Sequence, residues 1–167
     1  EYCRENDVTL SHVFVQPQSS RVVKMMDDGS FDTQAAKIVD KNKDGIVVNG
    51  AFLLATQGVT SDELWVHPPV TTYLQETNNP NTFVFAVPNN LPGMKWICRD
   101  SMVGGESSFD YPLSSRFEEM DTLIVFDHVL VPWHRVFVDG NDLLSQKLFS
   151  ESAFHTHSAH QVLCRYI

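Results

Sequence analysis

Thr122-Leu123-Ile124-Val125-Phe126-Asp127-His128-Val129-Leu130-Val131-Pro132 is apolar throughout except at Asp127-His128, and it stops at a proline. Its β-branched content and the closing Pro read as a strand, not a helix. Working outward, Val136-Phe137-Val138 resumes the pattern, and Met94–Cys98 and Thr82–Val87 precede it on either side of the turn cluster Pro88-Asn89-Asn90-Leu91-Pro92-Gly93. Leu64–His67, Phe52–Thr56 and His12–Val15 are further extended runs. Lys37–Val39 and Ile46–Val48 flank a polar turn that ends in Asp44-Gly45, a hairpin signal because such turns need positive φ. That makes roughly seven or eight short strands between turn signals, the pattern of a mainly β barrel or sandwich. From Leu143 to Ile167 breakers are few, and Leu144, Leu148, Val162 and Tyr166 have a spacing that a helix can use. Ser101 to Asp121, rich in Gly, Ser and acid, reads as a long loop.

Composition narrows the function. The chain has 167 residues, 43% hydrophobic and 20% charged, which suits a folded domain and not a disordered tail. Twelve basic against 21 acidic residues give a net charge of −9, against nucleic-acid binding. No apolar run reaches the ~18 residues of a membrane span, and the charged start Glu1–Asp7 is not a signal peptide. Cys3, Cys98 and Cys164 are too few and too scattered for a disulfide framework, so a cytoplasmic location is expected. The chain opens on Glu1, which suggests a piece of something longer.

Three patterns invite a chemical reading. Asp40-x-Asn42-x-Asp44-Gly45 opens like a calcium loop, but Ala51 stands where the bidentate Glu belongs, and a hairpin turn uses the same residues. His155, His157 and His160 lack the further ligand that would complete a metal site, so no metal is expected. Gly104-Gly105 is no phosphate loop, and Glu118-Glu119 reads as a solvated pair. The most informative segment is Ser11–Arg21. It sets His12 at a strand start, followed by Gln18, Ser19, Ser20 and Arg21 in a turn, donors able to hold a phosphate or a polar ring edge. A capped turn beside a partly buried His explains the same residues equally well.

This segment, His12-x-Phe14-Val15-x-Pro17-Gln18-x-x-Arg21, resembles a stretch of the 4-hydroxyphenylacetate 3-monooxygenase oxygenase family. So do Cys98-Arg99, Val103-Gly104-Gly105, Asp110-Tyr111-Pro112-Leu113-Ser114-Ser115-Arg116 through Asp121, and Asp127-His128-Val129-Leu130-Val131-Pro132-Trp133. The family is similar in fold to acyl-CoA dehydrogenases. The resemblance therefore implies a middle β-barrel domain over residues 1–142 and the start of a C-terminal helical domain over 143–167. It implies a two-component system, in which a separate reductase supplies reduced FAD and a tetrameric oxygenase hydroxylates a phenol ortho to its hydroxyl with O2. By the same resemblance His12 is catalytic and touches substrate. His12, Val13, Phe14, Gln18, Ser19, Ser20, Arg21 and Thr56 match flavin-binding positions, and Pro69 and Val70 match a substrate loop. Two alternatives stand beside it. One is the flavin and iron–sulfur 4-hydroxybutyryl-CoA dehydratase branch, whose cluster cysteines have no counterpart in the spacing here. The other is a non-catalytic β-domain used for binding or assembly.

Overall fold

The computed structural model describes residues 1–17, 34–67, 77–101, 103, 107–117, 120–153, 157 and 164. A one-turn helix α1 (Tyr2–Glu5) leads into eight strands: β1 (Leu10–Val13), β2 (Lys37–Lys41), β3 (Gly45–Thr56), β4 (Glu63–Val66), β5 (Phe83–Pro88), β6 (Met94–Cys98), β7 (Asp121–Pro132) and β8 (Val136–Asp139). Helix α2 (Asp142–Ser150) follows. The strands form two sheets, ordered β1-β4-β5-β8 and β2-β3-β7-β6. Among these strands β1 and β4 pair in parallel and the other ladders are antiparallel, with one isolated parallel bridge at Ala35↔Ala51.

The expected barrel is not formed. Both sheets stay open at four strands, and among the described residues Val15↔Leu53 is the one bridge joining β3 to the continuation of β1. A barrel that side chains fill needs about eight strands in one closed ladder. Here the eight are divided into two layers, with large rings between them. Phe52 of β3 meets Phe83 of β5 edge-on at 6.1 Å, and Phe126 of β7 meets Phe85 of β5 edge-on at 5.9 Å. All four rings are fully buried, packed with Ile46, Val48, Leu64, Val66, Ile124 and Val131.

Two compensating bulges keep this core facing inward. Between the pairs Val48↔Val129 and Gly50↔Phe126, β7 carries Asp127 and His128 opposite the single Asn49. Between Phe52↔Ile124 and Ala55↔Thr122, β3 carries Leu53 and Leu54 opposite Leu123. An extra residue turns every later side chain to the other face unless a bulge absorbs it. His128 and Leu54 take it up at φ 52 and 62, leaving both exposed. Gly50, at φ 121, lies so close to the Ala35 main chain that a Cβ would sit 2.6 Å from its carbonyl oxygen. At the first bulge the exposed Asp127 carboxylate accepts from Lys95 at 2.6 Å and lies 3.2 Å from His128 Nδ1. These contacts, Lys95 first, hold its pKa below the ordinary 3.8. Whatever the ties contribute is present at neutral pH and fades as pH falls through that lowered value.

The Asp40–Gly45 segment is a hairpin turn, in which Asn42 Oδ1 accepts from the amides of Asp44 (2.9 Å) and Gly45 (3.2 Å). Helix α2 is capped by Asn141, whose side chain accepts from the Leu144 amide. Of the apolar residues whose spacing suggested it, Leu144 is exposed and gives it no anchor, while Leu148 is half-buried. Buried Asp142 holds it, accepting from Thr82 Oγ1 and from Asn79 Nδ2. His155, His160, Val162 and Tyr166 lie outside the described residues. Among those described, no helix is long and apolar enough to cross a membrane.

Truncating a ring at the sheet interface removes buried area and leaves a cavity. Phe52→Ala is expected to lower the unfolding free energy by about 3–5 kcal/mol, whereas Phe109→Ala, at a residue 92% exposed, should change it by less than about 0.5 kcal/mol. Urea unfolding of both variants checks the contrast.

Candidate functional site

Strand β1 alternates. Ser11 and Val13 point into the core, while Leu10 and His12 face out. Phe14 continues the outer row at 48% exposure, and its ring lies parallel to that of His12 (5.5 Å between centres, 5° between planes). Beside them, Trp65 of β4 is the register partner of His12 and stacks on Phe137 of β8 at 5.2 Å. This outer face of the first sheet therefore carries two stacked aromatic pairs. Arg135 completes it with a two-pronged ion pair to Glu63 (2.8 and 2.9 Å).

The end of β3 abuts this strand. Ser11 Oγ donates to the Thr56 carbonyl oxygen at 2.7 Å, and the Leu53 amide donates to Val15 at 2.7 Å. Leu53 opens the second bulge, and its amide turns away from β7 as the Ala51 amide, two residues earlier, does in donating to Gln34. Beyond the bulge, Thr56 pairs with Asp121, and Thr56 Oγ1 donates to Asp121 Oδ1 at 2.7 Å. Both residues are half-buried, so solvent or a ligand can reach them.

The candidates thus fall into three groups. His12 on β1 and Phe14 just beyond its end stand together, and the Thr56 main chain joins that strand through Ser11. Val13 is buried in the core at 1% exposure, so only its main chain is left to meet a ligand, and its carbonyl already accepts from the His67 amide. Gln18, Ser19, Ser20, Arg21, Pro69 and Val70 lie outside the described residues, as do Gly104, Gly105, Glu118 and Glu119. Asp121 and Trp65 were not candidates from the sequence. Finding them takes the register of β3 on β7 and of β1 on β4, which no local spacing reveals.

The described candidates offer a flat, half-exposed ring pair on the outer face of the first sheet and, separately, a half-buried hydroxyl at the end of β3. The Ser11 bond holds the junction of β1 with that end. Ser11→Ala leaves the Thr56 carbonyl short of its partner and is expected to cost about 1–3 kcal/mol in urea unfolding. Ser11→Thr, which keeps the hydroxyl, should recover part of it.

Comparison with known proteins gives the chain its relatives. The profile described as "4-hydroxyphenylacetate 3-hydroxylase N terminal" matches residues 1–138. The 4-hydroxyphenylacetate 3-monooxygenase oxygenase component of Geobacillus sp. (strain PA-9) is 41% identical over 167 residues, covering 100% of this chain and 34% of its own. The crystal structure of the oxygenase component HpaB of 4-hydroxyphenylacetate 3-monooxygenase, complexed with FAD and 4-hydroxyphenylacetate, superposes with a TM-score of 0.79 at 38% identity, over 96% of this chain and 33% of that one. An archaeal 4-hydroxybutyryl-CoA dehydratase from N. maritimus, at 22% identity and a TM-score of 0.70 over 88% of this chain and 29% of that one, shares the fold. The chain spans about a third of the length of the relatives it matches. The match also corrects the placement as a middle domain, since the region matched is the family's N-terminal one. Motifs carry family membership but no position along a longer chain, and the middle placement had come from the family's likeness in fold to acyl-CoA dehydrogenases. With a family profile over 1–138 and a relative 41% identical along its whole length, the chain belongs to the 4-hydroxyphenylacetate 3-hydroxylase family, in its N-terminal region.

Proposed function

We propose that this chain is part of the oxygenase component of a two-component monooxygenase that hydroxylates a phenol, of the 4-hydroxyphenylacetate kind, ortho to its hydroxyl. The observation that carries the reading is the parallel His12–Phe14 pair on an exposed strand, within a segment matching the family. Reduced FAD, delivered by a separate flavin reductase, supplies the electrons that activate O2. The working protein is a cytoplasmic homotetramer, with residues 143–167 opening a helical domain after the strands of 1–142.

The chain's own residues have distinct tasks in this reading. Phe14 offers a flat apolar face to the ring system, and the Val13 main chain borders it. Gln18, Ser19, Ser20 and Arg21 supply donors for the cofactor's polar groups, with Arg21 the charged and therefore stronger one. Thr56 stands beside the flavin ring, and Pro69 and Val70 border the substrate. His12 acts on the phenol. A phenol has a pKa near ~10 by analogy with Tyr, and its ring attacks an electrophile far better as phenolate. A neutral imidazole takes or shares that proton at a ring nitrogen.

These roles separate by mutation in the full-length protein with one reductase. His12→Ala should lower phenol turnover by about 10²–10⁴-fold, the usual range of general-base assistance, with FAD affinity largely kept. The hydrogen peroxide released per reduced FAD consumed should rise. Arg21→Ala should weaken FAD affinity first. Hydroxylation by His12→Ala at the wild-type rate would remove His12 from the mechanism.

A further inference from the structure

We infer that Asp121 is a positioning residue that fixes the polarity of the Thr56 hydroxyl, so that Thr56 presents a hydrogen-bond acceptor and no donor to its ligand. The inference rests on the reading above, in which Thr56 stands beside a flavin ring. A threonine hydroxyl has one hydrogen and two lone pairs, whereas a carboxylate only accepts. The 2.7 Å bond from Thr56 Oγ1 to Asp121 Oδ1 therefore commits the single hydrogen to Asp121. Such charge-assisted bonds are about twice as strong as neutral ones, so the hydroxyl has little reason to turn.

The surrounding ladder holds both partners in place. Thr56 and Asp121 are directly opposed in the β3–β7 register. On one side, Thr122 Oγ1 donates to the Ala55 carbonyl at 2.8 Å, and on the other the Gln57 amide donates to the Met120 carbonyl at 2.8 Å. Neither residue is fully buried, so the pair is not sealed inside the core.

An acceptor-only oxygen discriminates between redox states. Two-electron reduction of a flavin places hydrogen on a ring nitrogen that carries only a lone pair in the oxidised ring. An oxygen with its own hydrogen engaged elsewhere satisfies that N–H, but opposes a lone pair with a lone pair. Asp121, through Thr56, thus favours reduced over oxidised flavin. That is the preference an oxygenase component needs if it receives its cofactor reduced and must release it oxidised.

The test is the ratio of dissociation constants for oxidised and reduced FAD. It is measured on the full-length protein, aerobically and anaerobically, for the wild type, Asp121→Ala, Thr56→Val, Thr56→Ser and the Asp121→Ala/Thr56→Val pair. The wild type should bind reduced FAD more tightly. Asp121→Ala should cut the preference about tenfold, roughly one hydrogen bond. Thr56→Val should cut it equally, the double variant no further, and Thr56→Ser should keep it. If Asp121→Ala does not fold, the contrast between Thr56→Val and Thr56→Ser decides. A purely structural Asp121 would weaken both redox forms together and leave the ratio unchanged, which would overturn the inference alone. A wild-type protein that binds neither form of FAD would overturn the proposed function and this inference with it.

Discussion

A strand shows alternate residues to opposite faces, and everything in this domain depends on keeping that alternation in phase along β3 and β7. Each is 12 residues long, and the two lie side by side at the centre of the second sheet. Without correction, the extra residue at Asp127-His128 would turn Val129 and Val131 out of the core, and the one at Leu53-Leu54 would do the same to Ala55. The two bulges absorb the shift on opposite strands, so that Ile46, Val48, Phe52 and Ala55 meet Val131, Val129, Ile124 and Thr122 on one face. Holding Leu54 and His128 at positive φ costs on the order of 1–3 kcal/mol each. Continuous packing of four phenylalanines between the sheets exceeds that, since burying one such side chain is worth about 1.5–3 kcal/mol.

The same irregularity builds the candidate site. The bulge follows directly on Leu53, whose amide, like that of Ala51 two residues earlier, faces away from β7 and donates to Val15. It also brings Thr56 opposite Asp121, where the hydroxyl meets a carboxylate, and keeps Ala55 inward against Thr122. Core register and site geometry are thus set by one backbone feature, and a change that relaxed the bulge would disturb both.

How much of this was legible follows from range. Strand positions were, because alternation and turn residues are local: Met94–Cys98 agrees residue for residue with β6, and the Asn42–Gly45 turn is as its Asn and Gly suggest. Phe52–Thr56 read as a separate strand from Ile46–Val48, although β3 runs through both, because Asn49-Gly50 looks like a stop and is an irregularity within a long strand. The division into two open sheets was not legible, since closure depends on which edges meet, and a count of strands is the same for a barrel and for two layers. Helix α2 was expected for its apolar spacing, yet Asp142 anchors it by hydrogen bonds to Thr82 and Asn79, about sixty residues earlier in the chain. Of the candidate site, His12 and Phe14 were named through the family resemblance of their segment, and the structure adds that their rings lie parallel. Asp121 was not, being 65 residues from the threonine it holds.

Charge sets a last constraint on how such a site can work. The chain carries a net −9, and the proposed cofactor is itself an anion through its phosphates. The overall field therefore opposes its approach, and attraction at long range cannot supply the affinity. At physiological ionic strength that field is screened beyond about 8 Å, so contacts within hydrogen-bonding distance decide binding. In the proposed reading Arg21 would offer the one formal positive charge within Gln18–Arg21, and the Ser19 and Ser20 hydroxyls would add neutral donors. Apolar contact at the ring end, where Phe14 is half-exposed, is indifferent to charge. In the proposed reading the division would suit a cofactor that must arrive and leave, with a few local donors at one end and a flat surface at the other.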